Sequence, residues 1–362
     1  MSSHDLIRVL VIDDSAFSRQ AITRMLSRSP LVKVVGVARD GEEALRKTFD
    51  LQPDLITLDL EMPRMGGFTF LRIVMNKRPT PVMVISGRAG EEDVFKALDL
   101  GAVDFIAKPK PHAAPELENI EQELIRKVHA IRELRIENVR ERLTAMPVTV
   151  RPRPSVAGSR AASVVVIGSS TGGPAALMQL FGAFSEAPSR AFVVAQHMPE
   201  GFTRGFAERL DRLTPLCAYE AQGGEVPTPG TVLLAPGGRH LVLEAIGNDV
   251  VTRVVRPEAS DKYTPSVDRL FESAAKAFGA DVLAVVLTGM GDDGRRGVQA
   301  IKQAGGTVIA ESEKTAVIFG MPQQAIRTGS VDHVLELGEI ATAIHEGVGS
   351  RKVRKPRRRG CV

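Results

Sequence analysis

Two doubly wound α/β domains in tandem are the fold class this sequence predicts. Three observations carry the expectation. The chain has 362 residues, enough for about two domains of ~150 residues each. Short β-branched runs alternate with amphipathic stretches on both sides of residue 150. Between the two series, residues 147–162 (PVTVRPRPSVAGSRAA) carry prolines, small residues and arginines with no apolar period, the composition of a linker. The expected boundaries are a first domain over 6–125, a helical extension and linker over 126–162, a second domain over 163–348 and a basic tail over 349–362.

In the first domain the runs Ile7–Ile12, Val32–Val37, Leu55–Leu58, Val82–Ile85 and Val103–Ile106 lack polar alternation, as parallel strands covered on both faces do. Helical patterns near 15–28, 41–50, 67–77 and 91–100 lie between them, which makes a (βα)5 unit. A longer last helix follows, with Leu117, Ile120, Leu124, Val128 and Ile131 on one face. The second domain opens at Val164–Ile167 and continues with strands near 191–196, 231–235, 241–245, 282–287 and 307–310. Helices are expected near 174–183, 201–212, 265–278 and 294–304. Val267, Leu270, Phe271, Ala274 and Phe278 form one apolar stripe, which is core. The segment Val232–Leu243, with Pro236-Gly237-Gly238 at its middle, reads as a β-hairpin, so this mostly parallel sheet is expected to be mixed.

Hydrophobic residues make up 43% and charged residues 25% of the chain, the balance of an ordinary globular protein. No apolar run approaches the ~18 residues of a membrane span, and no secretory signal precedes the first strand. Cys217 and Cys361 are the two cysteines, too few for a disulfide scaffold or a cysteine zinc cluster; a reducing cytoplasm is the expected location. The formal charge of +4 is misleading. Residues 351–362 carry seven Arg/Lys and no acid, and without them the body stands at −3. A nucleic-acid partner is therefore not expected, and the tail is most simply a solvated end.

In open α/β sheets, ligands bind beyond the carboxyl ends of the strands. Asp13 and Asp14 follow the first strand, Asp59 the third, Ser86 the fourth and Lys108 the fifth. Three carboxylates at one place repel unless cations compensate; Lys108 and a hard divalent ion such as Mg²⁺ would do so. A carboxylate there can attack phosphorus and form an acyl phosphate. The plain alternative is a set of unconnected polar strand ends, but all five positions fall on the correct side.

These residues, with Leu58-Asp59-Leu60-Glu61-Met62-Pro63 and Lys108-Pro109, resemble the receiver domain of two-component response regulators. The resemblance implies Asp59 as phospho-acceptor. It implies Mg²⁺ held by Asp14, Asp59 and the Glu61 backbone carbonyl with Asp13 nearby, Ser86 as the hydroxyl switch and Phe105 at the aromatic switch position.

In the second domain, Val164–Ile167 runs into Gly168-Ser-Ser-Thr-Gly-Gly-Pro174. A dinucleotide fingerprint needs G-x-G-x-x-G and an acid closing the next strand; here the spacing is G-x-x-x-G-G and the next strand ends Gln196-His197. Gly168-x-Ser170-x-Gly172 instead has the spacing of a nucleophile turn. A serine hydroxyl needs a base. His197 is the histidine that follows a strand at the same sheet edge, its plain alternative being a solvent-facing loop residue. An orienting acid should come from a third strand end, where Thr288-Gly-Met-Gly-Asp-Asp-Gly294 offers Asp292 or Asp293. Asp293 could instead cap the helix near 294. The order Ser…His…Asp differs from that of α/β-hydrolases.

Residues 163–348 resemble the catalytic domain of the chemotaxis protein-glutamate methylesterase family, through Ile167-Gly-Ser-Ser-Thr-Gly-Gly173, Gln196-His-Met-Pro199 and Leu287-Thr-Gly-Met-Gly-Asp-Asp-Gly294. The resemblance implies Ser170 as nucleophile, His197 as base, Asp293 as orienting acid, and an oxyanion hole from the backbone amides of Thr171 and Met290. It further implies removal of methyl esters from receptor glutamates, deamidation of certain glutamines, no cofactor for hydrolysis, a chemotaxis histidine kinase as phosphodonor and methyl-accepting chemotaxis receptors as substrates. Ser169 departs from the family's usual small Ala. The long helix and linker lead us to expect that the unphosphorylated receiver obstructs Ser170. Two rival readings are a catalytically dead docking module and a DNA-binding regulator; no helix-turn-helix pattern follows the linker.

Overall fold

The computed structural model describes residues 6–86, 91–108, 114–139 and 161–348. Most of the expected linker, all of the basic tail and Pro109 lie outside the described residues.

The N-terminal unit is a five-stranded, wholly parallel sheet in the order β2-β1-β3-β4-β5. Its strands are β1 (Ile7–Ile12), β2 (Val32–Ala38), β3 (Leu55–Leu58), β4 (Val82–Ser86) and β5 (Asp104–Ala107). The helices are α1 (Ala16–Leu26), α2 (Gly41–Leu51), α3 (Gly67–Lys77), α4 (Glu91–Asp99) and α5 (Ala114–Ala130). Local chemistry starts them where the sequence allows. The Asp40 side chain accepts from the amides of Glu42 at 3.0 Å and Glu43 at 2.9 Å, filling two donors a helix start leaves unpaired. Leu124 and Val128 of α5 are buried with Val9, Val11 and Ile106 in one cluster, as the apolar stripe requires.

The C-terminal unit has a seven-stranded sheet in the order β14-β13-β12-β6-β7-β9-β8. The strands are β6 (Val164–Ser169), β7 (Ala191–Gln196), β8 (Cys217–Glu220), β9 (Thr231–Leu234), β12 (Val282–Val286), β13 (Thr307–Glu311) and β14 (His333–Leu335). Its helices are α6 (Gly173–Gly182), α7 (Phe202–Leu213), α8 (Val267–Phe278), α9 (Arg295–Gln303), α10 (Gly320–Arg327) and α11 (Leu337–His345). Val267, Leu270, Phe271 and Ala274 of α8 are fully buried; burying each of the three larger side chains stabilises the fold by roughly 1.5–3 kcal/mol.

One expectation fails here. Every pairing in the seven-stranded sheet is parallel, so it is not mixed, and Val232–Leu243 is not a hairpin. The hairpin is β10 (His240–Ile246) with β11 (Asp249–Val255), a separate two-stranded sheet. Its turn is Gly247-Asn248, since Ile246 pairs with Asp249, and Gly247 takes φ 61°. That dipeptide is the stronger two-residue turn signal. Pro236-Gly237-Gly238 merely leads the chain out of the main sheet.

The two units pack together through rings. Phe105 of β5 meets Phe202 of α7 at 4.7 Å between centroids, and Phe95 of α4 stacks on Phe206 at 5.5 Å. Asp99 pairs with Arg209 beside them. Beyond α5, Arg135 donates its amide to Val317 O at 3.1 Å, and Asn138 Nδ2 donates to Ala316 O at 2.7 Å, so the chain stays on the C-terminal unit.

Candidate functional site

In the N-terminal sheet β1 lies between β2 and β3, so the change in strand order opens a crevice at their carboxyl ends. Carboxylate oxygens of Asp13, Asp14 and Asp59 converge there, all within 4.8 Å of one another. Lys108 Nζ stands 2.6 Å from Asp59 Oδ2 and 3.1 Å from Asp13 Oδ2. Burial, then the negative charge of Asp59, push the Asp13 carboxyl up despite Lys108: the pocket carries more negative charge than one lysine offsets. Glu61 follows Asp59 on the exposed rim, its amide 3.4 Å from Asp59 Oδ1. Ser86 closes β4 opposite Ala107 of β5. Phe105 is buried against Phe202 of the other unit.

The second crevice lies around β6, which sits between β12 and β7. Ser170 follows β6, His197 follows β7, and Asp293 lies in the turn after β12. Three residues far apart in sequence thus share one switch point. Below them Gln196, 2% exposed, donates to Ser170 O at 3.0 Å and His197 O at 2.9 Å, and accepts from Ser169 Oγ at 2.7 Å. Gly173 leaves room for it, since a Cβ there would stand 2.0 Å from Gln196 Oε1. Ser169 is therefore a buried structural donor.

Asp293 is the carboxylate that meets the histidine: His197 Nε2 lies 2.8 Å from its Oδ2. It also accepts from the amides of Val267 at 2.7 Å and Asp268 at 2.9 Å, and from Ser266 Oγ at 3.2 Å, at the positive end of α8. Burial would raise its pKa, but the bond and charge of His197, then those amides, hold the carboxyl below the usual range. The helix it serves is α8, not the one near 294. Asp292 instead pairs with Lys262 at 2.7 Å and Tyr263 Oη at 2.9 Å.

With Nε2 engaged, Nδ1 of His197 is the ring nitrogen with no hydrogen-bond partner among the described residues. No hydrogen bond among the described residues joins His197 to Ser170 Oγ, so the relay is closed on its acid side and open on its serine side. Catalytic hydrogen bonds commonly tighten only with substrate bound. The backbone amides of Thr171 and Met290 donate to nothing among the described residues, as an oxyanion site requires.

The N-terminal unit reaches this site directly. Asp104 Oδ2 accepts from Thr171 Oγ1, while its Oδ1 pairs with the buried Lys127 Nζ at 3.0 Å. Lys127 also donates to Phe105 O at 2.7 Å. Sequence reasoning missed Asp104, Lys127, Gln196, Tyr263 and Ser266. Two of them carried a signal: Gln196 lies in the Gln196-His-Met-Pro199 motif, and Ser266 is an N-cap residue ahead of the stripe beginning at Val267.

A hydroxyl beside a histidine–carboxylate pair, docked under a sheet with a lysine-tied acidic pocket, defines a hydrolase joined to a response-regulator unit. Comparison with known proteins narrows the class. Residues 165–344 match the family described as CheB methylesterase, and residues 9–118 match the response regulator receiver domain. The chain belongs to the CheB methylesterase family. It is 49% identical over 369 residues to the protein-glutamate methylesterase/protein-glutamine glutaminase 3 of Geobacter sulfurreducens, covering 95% of this chain and 98% of the relative. It is 48% identical to the corresponding protein 1 of Myxococcus xanthus, with the same coverage. The crystal structure of the Thermotoga maritima CheB methylesterase catalytic domain is similar at 41% identity and TM-score 0.49, covering 51% of this chain and 97% of that one.

Proposed function

We propose that this chain hydrolyses glutamate methyl esters on methyl-accepting chemotaxis receptors, releasing methanol, and deamidates selected receptor glutamines, under the control of phosphorylation at Asp59. The observation that carries the reading is the gathering of Ser170, His197 and Asp293 at one switch point beside two backbone amides that are unpaired among the described residues. Ser170 Oγ attacks the ester carbonyl and its proton passes to His197 Nδ1. Asp293 keeps the Nε2 proton in place and stabilises the imidazolium. The oxyanion is held by the amides of Thr171 and Met290; one such donor is worth about 10²–10³ in rate. The imidazolium then protonates the departing methoxide. Water, activated by the same imidazole, releases the glutamate carboxylate from Ser170. With glutamine the leaving group is ammonia, and hydrolysis needs no cofactor.

In the receiver, a carboxylate oxygen of Asp59 attacks the phosphoryl donor, a chemotaxis histidine kinase, while Lys108 balances charge. The carboxylates of Asp13, Asp14 and Asp59 are hard oxygen donors carrying surplus charge, which fits Mg²⁺; with the Glu61 backbone carbonyl they would hold it, and the ion supplies neutralisation of the phosphoryl oxygens. Ser86 and Lys108 then answer the phosphoryl group. The docked receiver holds the hydrolase down: Asp104 occupies Thr171 and Phe105 lies on α7, and their release opens Ser170. The units fall at 6–125, 126–162, 163–348 and 349–362. No described helix is long and apolar enough to cross a membrane, and a cytoplasmic site of action, without nucleic-acid partners, suits receptors' inner domains. The test is methanol release from methylated receptor fragments. Wild type should respond to a phosphodonor, Asp59→Asn should keep only the basal rate, and Ser170→Ala should lose both; equal release by Ser170→Ala and wild type contradicts the reading.

A further inference from the structure

His197 has a second neighbour besides Asp293. The ring of Tyr263 lies nearly parallel to the imidazole, 9° between planes and 5.0 Å between centroids. Asp293 fixes one ring nitrogen but leaves the imidazole free to tilt about that bond. The tyrosine face removes this freedom from one side. Its own position is set at the far end, where Oη is 2.9 Å from Asp292 Oδ1. Gly291 makes the approach feasible, because a Cβ there would stand 2.3 Å from Oη. The loop that carries Tyr263 is anchored behind it. Ser266 donates its amide to Nδ1 of the fully buried His240 at 3.1 Å, His240 Nε2 lies 2.9 Å from Asp261, and Arg269 grips Asp261 at 2.8 Å. An amide donating to Nδ1 places the His240 proton on Nε2.

We propose that Tyr263 is a positioning residue for hydrolysis: it holds the His197 imidazole in the plane from which Nδ1 meets Ser170, and its π face favours the imidazolium that forms there. The proposal rests on the hydrolase reading above. A neutral imidazole gains little from the phenol ring, whereas an imidazolium gains a cation–π contact, so the interaction strengthens as the transition state is reached and acts on kcat. The charged groups around the pair are Asp293 on the imidazole, Asp292 on the phenol oxygen, Lys262 Nζ at 4.9 Å from the phenol ring, and the guanidinium of Arg126, from receiver helix α5, at 5.6 Å from it. Burial pushes the Tyr263 phenol up, so the ring stays neutral at working pH.

The test uses the full chain with a phosphodonor and a methylated receptor fragment. Tyr263→Leu should lower kcat about tenfold with KM changed less than about twofold, and Tyr263→Phe, which keeps the ring, should restore most of kcat. In wild type, NMR of labelled histidine should show the His197 ring protons, identified by their loss in His197→Gln, displaced upfield by the tyrosine ring current; that measurement needs no variant at position 263 to fold. Wild-type kcat in a folded Tyr263→Leu, equal losses in Leu and Phe, or His197 protons without the ring-current displacement would overturn the proposal. Ser170→Ala is run alongside: if it releases methanol as fast as wild type, the hydrolase reading itself has failed, whatever Tyr263 does.

Discussion

The chain builds two sites by one architectural device and gives them opposite electrostatics. Both lie where strand order reverses in a parallel sheet, beyond strand carboxyl ends. In the receiver three carboxylates crowd against one lysine, and burial with a like charge pushes Asp13 up. In the catalytic unit a single buried carboxylate, Asp293, is encircled by His197, Ser266 and the amides that begin α8, and is held down. A carboxylate with surplus negative charge around it calls for cations and suits phosphoryl chemistry. One whose oxygens are saturated with donors cannot attack anything and serves to orient a base. Environment, more than residue type, divides the roles proposed for Asp59 and Asp293.

That contrast breaks most sharply under amide substitution. Asp293→Asn keeps the shape but misdirects the His197 proton, and should cut kcat for methanol release by about 10³–10⁴. Asp59→Asn should leave the basal rate within about twofold and remove the phosphodonor response alone. Comparable basal losses in both would erase the distinction. Next in size is Gly173→Ala. Its Cβ would collide with Gln196 Oε1 and displace the turn carrying Ser170, for an expected loss of about 10²-fold in kcat with KM little changed.

The interface offers a milder probe. Arg209→Glu faces Asp99 with a like charge and should weaken docking, raising the unphosphorylated rate about fivefold, at the low end of ordinary coupling energies, while shrinking the further gain from a phosphodonor. A lower basal rate in this variant would mean the docked receiver assists instead of obstructing. Smallest is an acid effect. Because the folded carboxyl of Asp293 titrates below its unfolded value of about 3.9, its contribution to stability is complete above that pH and is lost as pH falls through the folded value. Urea midpoints should therefore decline more steeply below about pH 4 in wild type than in Asp293→Asn.

Much of this was legible from residues alone, and the reason differs by feature. The parallel strands announce themselves because both faces are covered, so Val164–Ile167 and Val282–Leu287 read as unbroken apolar runs. The candidate site residues were found at strand ends, where polar residues interrupt those runs. The choice between Asp292 and Asp293 did not follow from spacing; it depends on α8, whose first amides, Val267 and Asp268, lie 26 and 25 residues upstream of Asp293. The hairpin was displaced because Pro-Gly-Gly outshone Gly247-Asn248. Asp104 reads as an ordinary strand residue; its bond to Thr171 is a property of how two units dock, which no local pattern encodes. The open serine side of the relay is likewise a matter of docking and substrate.

Which serine is activated, and whether phosphorylation frees it, can be read in one measurement: covalent labelling of the full chain by a sulfonyl fluoride, with peptide mass mapping, before and after a phosphodonor. Label on Ser170 and none on the buried Ser169, formed faster once Asp59 is phosphorylated, is the predicted result. Label on Ser169, or a rate on Ser170 indifferent to the phosphodonor, would contradict the account.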